Sequence, residues 1–406
     1  MKADRYKWTV VGMLWSISFF NYADRQAVFS VFPLLEKELH LTSVQLGLLG
    51  SSFALVYGIC GIFAGAIVDR VRRVSAILWG LYIWSLICVS TALSRTFGQL
   101  LGFRAAEGLG ETLYFPASMS LISDYHGRET RSRAMGLHQT SVYIGTVAGG
   151  FFAGLIGQHY GWRWSFIVFG GSGIVLGAVL HRFLREPCRT GLPACPSPVR
   201  SFSLLLRKPT VLCLLGAFLC ANFVAVVLLS WMPKFLYDKF HMTLAMAGLT
   251  ATIFVQLASM AGSPAGGWLA DWLRKTRPGG RLMVQAIGVF AGAPFVVLCG
   301  MTSSTTWLVL ALTLWGFAKG MYDANIFASV YDVIPAESRG SAAGLMNTVG
   351  WLGGGAAAPL VIGVLAQVYG LGVAIALASG VYLLAGAFLV TAIAFFVKRD
   401  AAGDSI

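Results

Sequence analysis

Seven ionisable residues stand inside long apolar stretches of the chain: Asp24 and Arg25, then Arg104, Glu107 and Glu111, then Lys319 and Asp323. If those stretches lie in lipid, each charge costs about 2.5 to 3.5 kcal/mol to insert, so a cluster of them marks a functional site. Positions 104, 107 and 111 are i, i+3 and i+7 and share one stripe of a helix; 319 and 323 are i and i+4 and share another. Arginine offers a planar fork of donors that grips a carboxylate or phosphate at two points. A carboxylate in low dielectric resists ionisation, and an adjacent guanidinium opposes that resistance. A ligand competing for the guanidinium therefore changes the carboxylate's hold on a proton. Gathered in one cavity, these three cations and four carboxylates would form a minimal device for linking a proton to a small anion.

Such residues need elements that hold them in lipid. The chain has 406 residues, 57% of them hydrophobic and 12% charged, against roughly 25% charged in a soluble domain. Its 48 glycines fit the same class, since Gly is frequent in membrane helices. A helical span needs about 20 apolar residues. Stretches of that kind fall at 8–32, 44–68, 74–93, 97–123, 134–157, 164–184, 210–235, 244–270, 282–301, 307–333, 342–367 and 371–397. They predict an all-α polytopic membrane protein of twelve transmembrane helices in two pseudo-symmetric six-helix bundles. The stretch 185–208 is rich in Pro, Arg and Ser and has no long apolar run. The expected domains are thus an N-terminal bundle at 1–184, a cytosolic linker at 185–208 and a C-terminal bundle at 209–406. The short basic N-terminus runs into apolar sequence from Trp8 without a cleavage pattern, which predicts an uncleaved first span.

Charge sets the orientation. Alternate connections, with Arg182 at the end of the sixth stretch, hold 22 of the 30 lysines and arginines, and the opposite connections, with Lys234 at the end of the seventh, hold five. The positive-inside rule then puts both termini and the linker in the cytosol, and an even number of spans agrees. The expected location is the cell inner (cytoplasmic) membrane. The formal net charge of +13 is therefore a topology signal. It comes with no zinc-ligand spacing, RNA-reading aromatic motif or basic helix, so no nucleic-acid partner is expected. The seven cysteines are odd in number and scattered through apolar segments, which predicts free thiols. No His-Glu-x-x-His, Gly-x-Ser-x-Gly or phosphate loop occurs, which argues against an enzyme. The run Gly353-Gly354-Gly355 lies in an apolar span, where small residues let helices pack closely. No cofactor or metal is expected, and the chain is expected to work as a monomer surrounded by membrane lipid.

The halves repeat each other. Gly65 and Asp69, followed by Arg70 and Arg73, correspond to Gly267 and Asp271, followed by Arg274 and Lys275, at an offset of 202. Glu129-x-Arg131-x4-Gly136 corresponds to Glu337-x-Arg339-x4-Gly344 at 208, and Tyr160-Gly161 to Tyr369-Gly370 at 209. Repeats of this kind are typical of secondary transporters, whose substrate sits near the midplane between them. The chain resembles the major facilitator superfamily along its whole length. Gly65, Asp69, Arg70 and Arg73 match that family's Gly-x-x-x-Asp-Arg-x-Gly-Arg-Arg loop, with Arg72 at the second Gly and Val74 at the last basic position. The resemblance implies the major facilitator fold. It also implies that these four residues belong to a conformational latch that holds the halves in the outward-facing state.

Asn21-Tyr22-Ala23-Asp24-Arg25 resembles the Asn-Tyr-x-Asp-Arg hallmark of anion:cation symporters, which Spinster-type lipid transporters share. Arg104-x3-Gly108-x-Gly110-Glu111 resembles the span-four pattern of both groups. Similarity to the symporters implies proton coupling at Asp24 and Glu111, and a grip on the substrate's carboxylate by Arg25 and Arg104. Glu107 joins the proton-coupling candidates, and Lys319 and Asp323 the substrate-binding ones. Further candidate contacts are the mid-span residues Tyr22, Tyr114, Gln139, Tyr143, Asn347 and Trp351. Asn347 and Trp351 share a face at i, i+4, and Gln139 falls where the symporters often place a polar contact. His138, a lone histidine in a span, is expected to be hydrogen-bonded structure. The expected function is proton-coupled uptake of a small organic anion, a sugar acid or other carboxylate, by alternating access. The alternative is a Spinster-like transporter of lipids or amphiphiles, or a drug exporter.

Overall fold

The computed structural model describes residues 2–127, 129–187, 205–277, 279–334 and 339–402, and among these there is no strand. Helix α1 (Lys2–Ser30) leads through the short α2 (Phe32–Leu39) to α3 (Ser43–Arg70) and α4 (Arg73–Thr91). Then come α5 (Phe97–Glu111), α6 (Tyr114–Tyr125), α7 (Arg131–Tyr160) and α8 (Trp162–Phe183). After the linker follow α9 (Pro209–Phe240), α10 (Leu244–Arg274), α11 (Gly280–Met301), α12 (Thr305–Asp323) and α13 (Ile326–Tyr331). Helix α14 (Arg339–Val349) runs through a π-helical turn (Gly350–Gly355) into α15 (Ala356–Tyr369). Helix α16 (Leu371–Thr391), a second π turn (Ala392–Phe396) and α17 (Val397–Ala402) complete the described chain. Most of the linker expected at 185–208 lies outside the described residues.

Local chemistry explains where helices begin and end. At the start of α3, the Thr42 hydroxyl accepts from the Gln45 N–H at 3.3 Å, and the Gln45 side chain accepts from the Thr42 N–H at 2.9 Å. Thr96 caps α5 in the same way, accepting from Gln99 N–H. The repeated Tyr-Gly pairs are helix ends. Gly161, between α7 and α8, has φ +88°, and Gly370, between α15 and α16, has φ +80°. Glycine adopts that backbone without strain, which a side chain would resist.

Among the described residues, nine helices are long and apolar enough to cross a membrane. The expected spans at 8–32, 97–123 and 307–333 fall outside that set, and those are the three that carry the interior charges. Asp24 and Arg25 sit in α1, and Lys319 and Asp323 lower the hydropathy of α12. The fourth path breaks: α5 stops at Glu111 after 15 residues, and α6 resumes at Tyr114. The tenth breaks likewise, between α12 and α13, just after Asp323. Large apolar side chains such as Trp79, Leu86, Trp268 and Phe395 point outward, as lipid requires.

The chain forms two compact units. The first holds Met1–Leu192 with Leu229–Thr252, and the second holds Pro193–Leu228 with Ile253–Ile406. Each repeats a packing device. In the first, a Cβ on Gly108 of α5 would stand 2.6 Å from the Phe53 carbonyl oxygen of α3. In the second, a Cβ on Gly316 of α12 would stand 2.7 Å from the Val255 carbonyl oxygen of α10. The absent side chains let the charge-bearing helices lie directly on neighbouring backbones. In the first unit, Trp84, Tyr114, Leu14, Ile17 and Leu121 belong to one apolar core joining α1, α4 and α6.

Candidate functional site

Within the first unit, α1 and α5 bring five charges together, with Cys88 of α4 beside them. Arg25 Nε donates to Glu111 Oε2 at 2.5 Å, and Arg104 Nη1 donates to Glu107 Oε2. All four residues and Asp24 are buried, none more than 8% exposed. Among the described residues, no guanidinium hydrogen bond reaches Asp24. Cys88 Sγ lies 3.0 Å from its Oδ1, and a Glu107 carboxylate oxygen lies within 4.8 Å of an Asp24 carboxylate oxygen. The close approach at Gly108 sets this register, because it presses α5 against Phe53 and Tyr57 of α3. Aromatic faces then fix the guanidiniums. The Arg25 head lies 4.9 Å from the Tyr22 ring, 4.9 Å from Phe53 and 4.5 Å from Tyr57, and the Arg104 head lies 5.0 Å from Phe53. Cation–π attraction on several sides strengthens as water is excluded.

The geometry can exchange ion-pair partners. Arg25 presents a fork whose Nε is engaged by one carboxylate, and a ligand carboxylate in range competes for the same donors. Tyr22 and Tyr143 are half-buried near this cluster, and Gln139 is exposed. Tyr114 is placed differently: its hydroxyl donates to the Leu14 carbonyl at 2.6 Å and lies 3.0 Å from His138 Nε2. Both hydrogen-bonding directions of that phenol are used inside the fold. His138 is buried, and its Nε2 is held by Tyr114.

In the second unit, Lys319 Nζ pairs with Asp323 Oδ2 one turn on, and both are half-buried at the end of α12. Asn347 and Trp351 are half-buried on α14 and the π turn after it. Asn222 of α9 donates to the Gly350 carbonyl at 2.6 Å and so ties α9 to the start of that turn.

The latch candidates divide. Gly65 and Asp69 stand in α3, the side chain of Asp69 lies outside the described residues, and Arg70 is exposed. Arg73 pairs with Asp124 in its own unit. Its N–H and that of Val74 donate to the Glu186 carboxylate at 3.0 and 2.8 Å, an acidic cap on the start of α4. In the second unit, Arg281 pairs with Asp332 at 2.7 Å, both residues standing 208 positions after Arg73 and Asp124. The repeat thus extends to an ion pair at matching helix ends.

Reading the sequence alone passed over Cys88, Phe53, Tyr57 and Lys234. Cys88 reads as an apolar filler, and its partner Asp24 is 64 residues away. Lys234 is buried near the end of α9 and holds Glu36 and, at 2.6 Å, Asp238. The i, i+4 spacing of Lys234 and Asp238 is visible in the sequence, but burial and Glu36 are not.

The family model described as Major Facilitator Superfamily matches residues 14–359. The chain is 26% identical over 403 residues to the hexuronate transporter of Bacillus subtilis, covering 95% of this chain and 93% of the relative. It is 25% identical to the D-galactonate transporter of Escherichia coli, covering 94% of each. Among solved structures, a bacterial homolog of the human lysosomal transporter Spinster, inward-facing and occupied, is similar with a TM-score of 0.85 at 23% identity. That alignment covers 96% of this chain and 97% of the other.

Proposed function

Since the chain belongs to the Major Facilitator Superfamily, we propose that it takes up a sugar acid or related small carboxylate together with a proton, by alternating access. The protein is a multi-pass membrane transporter and not an enzyme. The relatives named for hexuronate and D-galactonate support an organic anion as cargo. The asymmetry of lysine and arginine supports the cytoplasmic membrane, with both termini in the cytosol.

The observation that carries the reading is the buried Arg25–Glu111 pair. An arriving carboxylate takes the Arg25 fork at two points and displaces Glu111. Glu111, released into low dielectric without its cation, takes up a proton. Departure of the anion restores the ion pair and expels the proton. Binding of anion and proton are thereby linked through one guanidinium.

The test is uptake of radiolabelled D-glucuronate and D-galactonate into proteoliposomes under an inward proton gradient. Uptake is expected to stop with a protonophore and with Arg25→Ala. Undiminished uptake in Arg25→Ala would sink the site. A thermal shift with lysolipids and none with sugar acids would favour the amphiphile reading instead.

A further inference from the structure

The cluster contains more charge than the exchange at Arg25 uses. Fully ionised, Asp24, Glu107 and Glu111 outnumber the guanidiniums of Arg25 and Arg104, and all five are buried. An unbalanced charge in low dielectric is costly, and one proton removes it. The pairing shows where that proton belongs. Glu111 is met by Arg25 and Glu107 by Arg104, which leaves Asp24. Asp24, Cys88 and Glu107 place a carboxylate oxygen, the sulfur and a carboxylate oxygen within 4.8 Å of one another. Glu107 Oε1 is buried without a hydrogen-bond donor, and a proton on Asp24 supplies one.

We propose that Asp24 and Glu107 share one resident proton, as carboxylic acid and carboxylate, and that Cys88 is the positioning residue that orients Asp24 for it. Cys88 is fully buried on α4, with its sulfur 3.0 Å from Asp24 Oδ1 and 3.3 Å from the Phe166 carbonyl of α8. The other groups facing the pair are Tyr22 and Arg25 of α1, Arg104 and Glu111 of α5, and, by way of Arg25 and Tyr22, Tyr57 of α3 and Tyr143 of α7. The neutral cluster then needs only one further proton when an anion displaces Glu111. The role of this proton in transport rests on the proton-coupled reading above, but its presence does not.

Infrared spectroscopy of the purified protein in lipid, without substrate, tests it. A carboxylic-acid C=O band is expected at neutral pH. Asp24→Asn and Glu107→Gln, which keep side-chain volume, should each abolish it. Cys88→Ala should shift the band, and Cys88→Ser, which restores a donor, should return it towards its original position. A band that survives both carboxyl substitutions, or that ignores Cys88→Ala, overturns the proposal. The expected band pattern in a protein that fails to accumulate D-glucuronate or D-galactonate supports the shared proton and overturns only the cargo assignment.

Discussion

Arg104 and Glu107 stand three residues apart on α5, and each side chain is 1% exposed. Such a pair contributes little net stability while intact, because desolvation offsets attraction, but removing one partner strands a buried charge. Arg104→Ala is therefore expected to destabilise the protein by about 3 to 5 kcal/mol, read as a lowered melting temperature in detergent. The double variant Arg104→Ala/Glu107→Ala should melt above Arg104→Ala alone, since neither charge is then stranded. Strictly additive losses would show that the two are not coupled. The same chemistry distinguishes Arg25, whose partner Glu111 is 86 residues away on another helix. Its head is held by three aromatic rings, so it is preorganised to receive a ligand without reordering.

At the scale of elements, the charges sit where helices are broken and pressed together. α5 ends at Glu111 and α12 at Asp323, so each charged stripe finishes at an interruption of its helix. Gly108 and Gly316 bring those helices onto neighbouring carbonyls. Gly108→Ala and Gly316→Ala should each cost about 1 to 3 kcal/mol through overpacking, measured by thermal melting. Gly102→Ala, on the same α5 but with nothing within 4 Å of the new methyl, should be neutral or stabilising by up to about 1 kcal/mol. Equal behaviour at Gly102 and Gly108 would refute the close approach. That small residues in apolar spans let helices pack closely was legible in the sequence. Which of them meets a neighbour was not, because Gly102 and Gly108 look alike until α3 is in place.

At the scale of the molecule, one proposal concerns orientation. With both termini in the cytosol, a C-terminal green fluorescent protein fusion in a bacterial host should fluoresce, and an alkaline phosphatase fusion at the same point should be inactive. The reverse pattern would invert the topology. Five described cysteines are free, so thiol reductants should leave the melting temperature unchanged. The matching ion pairs Arg73–Asp124 and Arg281–Asp332 show how deep the internal duplication runs. They couple the start of one helix to the end of another at corresponding points in each unit.

Composition and the recurrence of long apolar runs were enough to predict a helical membrane protein, because lipid admits few structures and taxes every buried charge, and the internal repeat and the family resemblance added transport. The same rule singled out Asp24, Arg25, Arg104, Glu107 and Glu111, and the sequence resemblance assigned four of them roles. Tertiary structure decided the pairing. It joined Arg25 to Glu111, brought Cys88 onto Asp24, and occupied the Tyr114 hydroxyl with Leu14 and His138, whereas the Arg104–Glu107 pair follows the i, i+3 spacing on one helix. Spacing along one helix defines a face, but hydrogen bonds between helices depend on which backbones approach within a few ångströms. That is a property of packing across 24 to 100 residues of chain, which no local pattern encodes.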